Sequence, residues 1–329
     1  MSGSIPFLRE FDYEYGRVDR PVPGLRRIVA PNPSRFTYVG TGTYILGEGR
    51  VAVIDPGPAD DSHLEALLAA LAGETVTHIL VTHTHPDHSP LSRRLAELTG
   101  ATTYAYGPHP HSAPEPGDEE DDHLEFPFPV DEHPDADPDA EATAGEHRQG
   151  HDLDFSPDVT VRHGDVITGD GWGVECLHTP GHISNHLCFA WLETNSLFSG
   201  DHVMGWSTSV ISPPDGHMGD YLRSLELVMA RGYSTLYPTH GPPIPDPGPF
   251  LEAFLRHRRH REDQILASLG RGHTRIEDIV MELYADVDHR LYRAAGRSVY
   301  AHLLGLVSDG RVTASDSPPR QRSQYRLAT

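Results

Sequence analysis

The chain has 329 residues, 48 acidic against 26 basic, for a formal charge of -22, and every basic residue is an arginine. The absence of lysine excludes Schiff-base chemistry and a P-loop phosphate site. A 37% hydrophobic share with 31 glycines and 29 prolines reads as a loop-rich globular protein, and no run of about 18 apolar residues could span a membrane.

Residues 1–24 read as a lead-in, acidic and aromatic, without an apolar signal segment. Cys176 and Cys188 are the only cysteines, too few for a disulfide framework, so a reducing cytoplasm is the expected location. Both lie within strand-like runs and read as small buried residues. From residue 25 to 247 the pattern is that of a layered α/β or α+β domain. Short runs rich in Val, Ile, Leu and Tyr predict strands at Thr43–Leu46, Val51–Asp55, His78–Thr82, Thr102–Tyr106, Val174–Leu177, His186–Trp191, Ser196–Ser199 and Thr235–Tyr237. Leu64, Leu67, Leu68 and Leu71 stand at helical spacing within Asp61–Ala72. A second helix is expected with Ser89 as N-cap, Pro90 at its first position and Gly100 after its end. A third is expected over Asp220–Ala230.

The segment 107–158 interrupts this domain. Between Glu115 and Asp158 stand 17 acidic residues and one arginine, Arg148, a balance of -16 that leaves -6 for the remaining chain. Its poverty in aliphatic residues predicts a solvated acidic insertion, a lid or a disordered loop. Its six histidines (His109, His111, His123, His133, His147 and His151) show no regular ligand spacing. After His240 the stiff stretch GPPIPDPGP leads into three helical patterns, Phe250–Leu269, Thr274–Tyr284 and His289–Val307, and a turn at Gly310–Val312. Residues 248–329 therefore read as a small C-terminal domain and tail.

The chemistry-bearing segment is Thr82-His83-Thr84-His85-Pro86-Asp87-His88, which packs four candidate metal ligands into six residues behind the apolar run HILVT. In an extended stretch residues i and i+2 point the same way, so His83 and His85 can grip one ion. Asp87 and His88 lie where the chain turns into a helix and can face a second ion. Three further strand-like runs end in turns bearing His182, Asp201 and His240, each beside a glycine. Ligand sites of layered α/β folds gather outside strand carboxyl ends, and here four such ends each offer a donor.

Thr82–His88 with His182, Asp201 and His240 downstream resembles the metallo-β-lactamase superfamily, and Val53-Ile54-Asp55-Pro56-Gly57 matches another of its motifs. The resemblance implies an α+β four-layer αβ/βα sandwich with a dinuclear site at one edge. One zinc would be held by His83, His85 and His182, the other by Asp87, His88 and His240, with Asp201 bridging. Asp55 would orient a ligand loop, and Asp87 and Asp201 would be the catalytic carboxylates. Manganese or iron(II) are the other ions such a set could take. The implied reaction is hydrolysis by a metal-activated hydroxide. Pro31-Asn32-Pro33, Gly40-Thr41-Gly42-Thr43-Tyr44, His182-Ile183-Ser184-Asn185-His186, Gly200-Asp201-His202 and His257–Leu266 further resemble the β-lactamase-like protein 2 branch near glyoxalase II. That branch implies a winged-helix-like C-terminal module.

The branch implies single-stranded RNA as substrate, with Arg256, Arg258, Arg259 and Arg261 as a candidate phosphate surface. A small ester or thioester, as in glyoxalase II, is the second reading. A metal-dependent nucleic-acid-binding protein without turnover is the third. Tyr44, Asn185 and Trp206 flank the motifs as candidate pocket residues, His178 and His202 as structural neighbours. The C-terminal module is also compatible with a homodimer.

Overall fold

A computed structural model describes residues 5–110, 124, 126, 150–286 and 288–328. Seven strands form a first sheet in chain order: β1 (Asp19–Val22), β2 (Leu25–Val29), β3 (Gly42–Leu46), β4 (Arg50–Ile54), β5 (Thr75–Leu80), β6 (Thr102–Ala105) and β7 (Val159–Thr160). The first four run antiparallel. The links β4–β5 and β5–β6 are parallel crossovers through α1 (Asp61–Ala70) and α2 (Leu91–Thr99). A second sheet holds β8 (Val166–Thr168), β9 (Gly173–His178), β10 (Leu187–Trp191), β11 (Ser196–Gly200), β12 (Thr235–Pro238) and β13 (Ile244–Pro245), in the order β13-β12-β11-β10-β9-β8. Its one parallel pair, β11 with β12, is bridged by α3 (Met218–Arg231).

Alternation along the strands sorts side chains into layers. Tyr44, Leu46, Ile54 and Leu80 meet Cys176, Phe189, Phe198 and Tyr237 between the sheets. Ile45, Val53 and Ile79 point the other way, onto Leu64 and Leu67 of α1 and Leu91 and Leu95 of α2. Leu177, Cys188, Leu197 and Leu236 pack against Tyr221, Leu225 and Val228 of α3. Both faces of these strands are thus covered, which is why they read as continuous apolar runs. The result is the expected four-layer αβ/βα sandwich. Both cysteines are buried and unpaired, and burial pushes each thiol up to about 12.

The C-terminal helices α4 (Gly248–Gly270), α5 (Ile276–Leu283) and α6 (Tyr292–Ser308) follow, the last preceded by a short 3-10 turn. Phe250 and Phe254 of α4 enter the core under α3, so this module shares a core with the second sheet. The turn expected at Gly310–Val312 is present at Asp309–Gly310, and at its far end β14 (Val312–Ala314) begins and pairs with β15 (Tyr325–Leu327) as a small hairpin wing. The lead-in likewise contributes β1 to the first sheet. Ser89 does not cap α2. Pro90 already has helical backbone, and the Ser89 hydroxyl donates instead to Asp152 Oδ2 at 2.7 Å.

The feet of the acidic insertion are ordered parts of the fold. Asp152 N–H donates to Thr84 O at 2.8 Å, Phe155 is buried against the first sheet's helices, and β7 extends that sheet. Leu124 lies in the C-terminal core, where a Cβ on Gly296 of α6 would fall 2.1 Å from its Cδ1. His111, His123, His133 and His147 lie outside the described residues.

Candidate metal centre

Five chain turns meet at one edge of the sandwich. β4 ends in Asp55, β5 in the His83–His88 turn, β9 in the loop carrying His182, β11 in Asp201, and β12 in His240. Thr41 pairs with His240 across the two sheets and closes this edge. Gly200 takes a left-handed φ of 51°, and a Cβ there would stand 2.6 Å from His186 Nε2. Only glycine lets the chain turn tightly enough to bring Asp201 in.

The structure brings all seven candidate ligands together. His83, His85 and His182 form one group, Asp87, His88 and His240 another, and His83, His88 and Asp201 a third between them. Within each group the donor atoms lie inside 4.8 Å of one another. His83 Nε2 and His182 Nε2 stand 2.8 and 3.0 Å from His85 Nδ1. His240 Nε2 is 3.1 Å from Asp87 and 3.3 Å from Asp201, and His88 Nε2 is 3.3 Å from Asp87 and 3.6 Å from Asp201.

The opposite ring nitrogens fix the tautomers. Asp55 accepts from Thr82 N–H (2.8 Å), the Thr82 hydroxyl (2.8 Å), His88 Nδ1–H (2.9 Å) and the Thr239 hydroxyl (3.0 Å). Because the Thr82 hydroxyl donates to Asp55, it must accept from His83 Nδ1–H at 3.0 Å. His182 Nδ1–H donates to Val210 O at 2.6 Å, and His240 Nδ1–H to Gly40 O at 3.3 Å. In four imidazoles, therefore, the nitrogen that faces inward bears a lone pair whenever the ring is neutral. Buried lone pairs converging at this range repel one another unless a cation or protons sit among them. His88 Nε2 and Asp201 Oδ1 are buried with no hydrogen-bond partner. This donor set, imidazole and carboxylate without thiolate, fits divalent cations of the zinc type.

Without a cation the charges compensate each other. Burial opposes the charged form of His240, but Asp201 and Asp87 outweigh it and push the imidazole up to about 10. His88 is raised for the same reason, against burial and by Asp87, Asp201 and Asp55. Burial drives His83 and His85 well below their ordinary value, with the neighbouring imidazoles adding to it.

The flanking residues divide. Tyr44 is core rather than pocket: it is buried between the sheets and its hydroxyl donates to Pro238 O at 2.7 Å. Asn185 is also buried, its amide donating to Thr84 Oγ1 (3.0 Å) and Gly107 O (3.3 Å), so it ties the ligand turn to the insertion's first foot. Trp206 stacks on Tyr38, with centroids 5.0 Å apart and planes at 15°, and a Cβ on Gly241 would meet its Cδ1 at 3.0 Å. It therefore stands beside the His240 turn. His178 is held by Ser184 O at 2.9 Å and stacks on Tyr106, while His202 is fully buried against Tyr221.

Several contributors leave little signal in the sequence. His186 Nε2 accepts from Asp201 N–H at 3.2 Å and its Nδ1–H faces Thr179 Oγ1 at 2.8 Å, which orients the Asp201 turn. Thr82 and Thr239 precede candidate ligand histidines and both reach Asp55; the repeated Thr-His pair is the available signal. His151 stacks on His109 at 3.7 Å and lies parallel to His85 at 5.4 Å, so the insertion's feet wall one side of the site. The arginine cluster is largely spent internally. Arg258 is buried, Arg259 pairs with Glu226, and Arg261 lies over the Tyr284 ring at 4.4 Å.

Comparison with known proteins agrees with this architecture. Residues 37–240 match the family model of the metallo-beta-lactamase superfamily, and residues 276–321 that of the beta-lactamase associated winged helix domain. The chain is similar to a beta-lactamase-like protein 2 homolog of Drosophila melanogaster, 29% identical over 320 residues and covering 94% of this chain and 96% of that one. It is 27% identical over 278 residues to an atrochrysone carboxyl ACP thioesterase of Claviceps purpurea, covering 82% of this chain and 74% of that one. A metallo-beta-lactamase family protein from Thermus thermophilus shares the fold at a TM-score of 0.66, with 24% identity, covering 93% of this chain and 99% of that one. A beta-lactamase domain protein from Burkholderia ambifaria does so at 0.70, with 18% identity, covering 97% of this chain and 96% of that one. The chain belongs to the metallo-β-lactamase superfamily of metal-dependent hydrolases and carries the winged-helix domain associated with it.

Proposed function

We propose that His83, His85 and His182 hold one zinc ion, that Asp87, His88 and His240 hold a second, and that Asp201 bridges them. On this reading the protein hydrolyses an acyl ester or thioester of a small molecule. When bound, the two ions would supply Lewis acidity and lower the pKa of a coordinated water to about 7. The chain's own residues do the rest. Asp55, with Thr82 and Thr239, holds His88 and His83 in the ligating tautomer, Val210 O does so for His182, and His186 fixes the Asp201 turn. Thr41 donates its hydroxyl to Asp87 Oδ2 at 3.3 Å and steadies it from the loop that also carries Tyr38.

The observation that carries the substrate class is the Trp206–Tyr38 stack beside Gly241. A broad uncharged wall suits an apolar acyl group better than a phosphodiester track. Three of the four arginines that could have formed such a track, Arg258, Arg259 and Arg261, are engaged with Ser209 O, Glu226 and Tyr284. A relative named as an acyl-carrier-protein thioesterase supports the same chemistry.

The test is a panel of an aromatic acyl-pantetheine thioester, S-lactoylglutathione, bis-p-nitrophenyl phosphate and short single-stranded RNA, on wild-type protein and Asp201→Ala. We expect thioester turnover in wild type, loss of at least a hundredfold in the variant, and two zinc equivalents bound only by wild type. RNA cleavage without thioester turnover would select the phosphodiester reading, and full activity in Asp201→Ala would defeat the metal mechanism.

A further inference from the structure

The charge at Arg258 is out of place for a solvated helix face. Arg258 lies on α4 and is only 6% exposed. Among the described residues no carboxylate stands within ion-pair distance of it. Its guanidinium lies over the Tyr221 ring, 5.4 Å from the centroid, and Nη2 donates to the Ser209 carbonyl at 2.6 Å, while Nε has no hydrogen-bond partner. Burying a guanidinium without a counter-ion is strongly unfavourable, because no Coulomb attraction offsets the lost hydration. An apolar residue would be the more stable occupant if α4 only needed to pack.

What the arginine grips gives the compensation. Ser209 and Val210 share a peptide unit. The Ser209 carbonyl receives Arg258, and the next carbonyl, Val210 O, receives His182 Nδ1–H at 2.6 Å. The Ser209 hydroxyl donates to His202 O at 2.7 Å, pinning the same turn to the residue after Asp201. On the far side, Gly181 carries His182 against the Tyr221 backbone, where a Cβ would fall 2.4 Å from its nitrogen. Tyr221 therefore supports both the arginine and the ligand loop. Fixing a carbonyl direction on a loop needs a strong directional donor, and a charged guanidinium bond is about twice as strong as a neutral one.

We infer that Arg258 is a positioning residue for the metal centre: the C-terminal helix, through the Ser209–Val210 peptide, holds the carbonyl that keeps His182 in its ligating tautomer and orientation. The appended module is then part of the zinc site rather than a separate function. The inference rests on the ligand set proposed above. Wild-type protein that binds no zinc would defeat that set, whereas bound zinc indifferent to Arg258 would defeat only this inference.

The experiment titrates zinc-loaded wild type, Arg258→Met, Arg258→Lys and, as control, Arg259→Ala with a chromophoric chelator. Removing an outer partner of a metal-bound histidine weakens binding about 10–100-fold, and Arg258, one peptide further out, should reach only the low end of that range, about tenfold. We expect that loss for one of the two zinc equivalents in Arg258→Met, a smaller loss in Arg258→Lys, and wild-type retention in Arg259→Ala. The cobalt-substituted Arg258→Met protein should show an altered visible spectrum. A folded Arg258→Met that keeps both ions at wild-type affinity, or equal loosening in Arg259→Ala, overturns the inference. A measurement on wild type alone guards against misfolding of the variants. Coupling is reciprocal, so zinc should slow hydrogen exchange in α4 around Arg258 as well as in residues 203–212. Zinc protection confined to the ligand turns would also overturn it.

Discussion

Asp55 shows how much one side chain can hold: three donors meet its Oδ2 and one its Oδ1. Four donors converge on its carboxylate, from Thr82 twice, His88 and Thr239, and its own backbone is left-handed at φ 48°. Asp55→Asn turns one acceptor oxygen into a donor that faces Thr82 N–H at the Oδ1 position or, flipped, His88 Nδ1–H and the threonine hydroxyls at Oδ2. We expect zinc affinity to fall about 10–100-fold, read by chelator competition, with the fold retained by circular dichroism. The candidate ligands themselves are legible in the sequence, because a strand-end motif with alternate histidines announces itself, and the structure brings them together. Their support is not. His186 looks like one more histidine among 23, and Val210 acts through a carbonyl that any residue type would supply.

Among the elements, prediction from pattern succeeds where burial is periodic and fails where polar partners decide. The strand cores and α1 to α3 fall within a few residues of their expected places, since Tyr44/Ile45/Leu46-type alternation fixes which side faces which layer. Ser89 has the sequence context of a cap, but a carboxylate from a distant segment outcompetes the local backbone for its hydroxyl. The first strand, DRPV, is too polar for a pattern reading and exists because β2 offers it an edge. Tyr44 flanks a motif in sequence yet points between the sheets, a distinction that strand parity alone decides. Tyr44→Phe should therefore leave kcat and KM for the turned-over substrate unchanged. It should lower stability by about 0.5–1.5 kcal/mol, the worth of the lost bond to Pro238 O, read from urea unfolding.

At the scale of the whole molecule, the acidic charge that dominates the composition is mostly local to one insertion, while a separate, buried set of charges sets the pH response. In the metal-free protein His240 is raised to about 10 and His88 also lies above its ordinary value, burial being outweighed by the carboxylates. A raised histidine contributes stability that is full below about 6.5 and is lost as pH climbs through the folded value. Asp87 and Asp201 are held well below their ordinary values because His88 and His240 overcome burial, so their contribution is lost only in acid. Burial holds His83, His85, His186 and His202 below the ordinary value, and their contribution is lost instead as pH falls below about 6.5, so metal-free protein should unfold at lower urea at both pH 9 and pH 5.5 than at pH 7. Zinc needs His88 and His240 deprotonated, so the zinc-loaded protein should keep its pH 7 stability at pH 9 and lose it at pH 5.5, and zinc uptake at pH 7 should release protons measurable by calorimetry in buffers of different ionisation heat.

The two feet of the insertion stand at the ligand turns: Gly107 under Asn185, and Asp152 on Thr84 and Ser89. Their attachments are independent of whatever length of chain runs between them. Such an arrangement gives evolution a place to lengthen, shorten or recode sequence at the rim of a reaction centre while the metal-holding framework is copied unchanged. It offers a protein engineer the same freedom: sequence between residues 127 and 149 can be exchanged while both feet, and Leu124 and Phe126 in the C-terminal core, are kept.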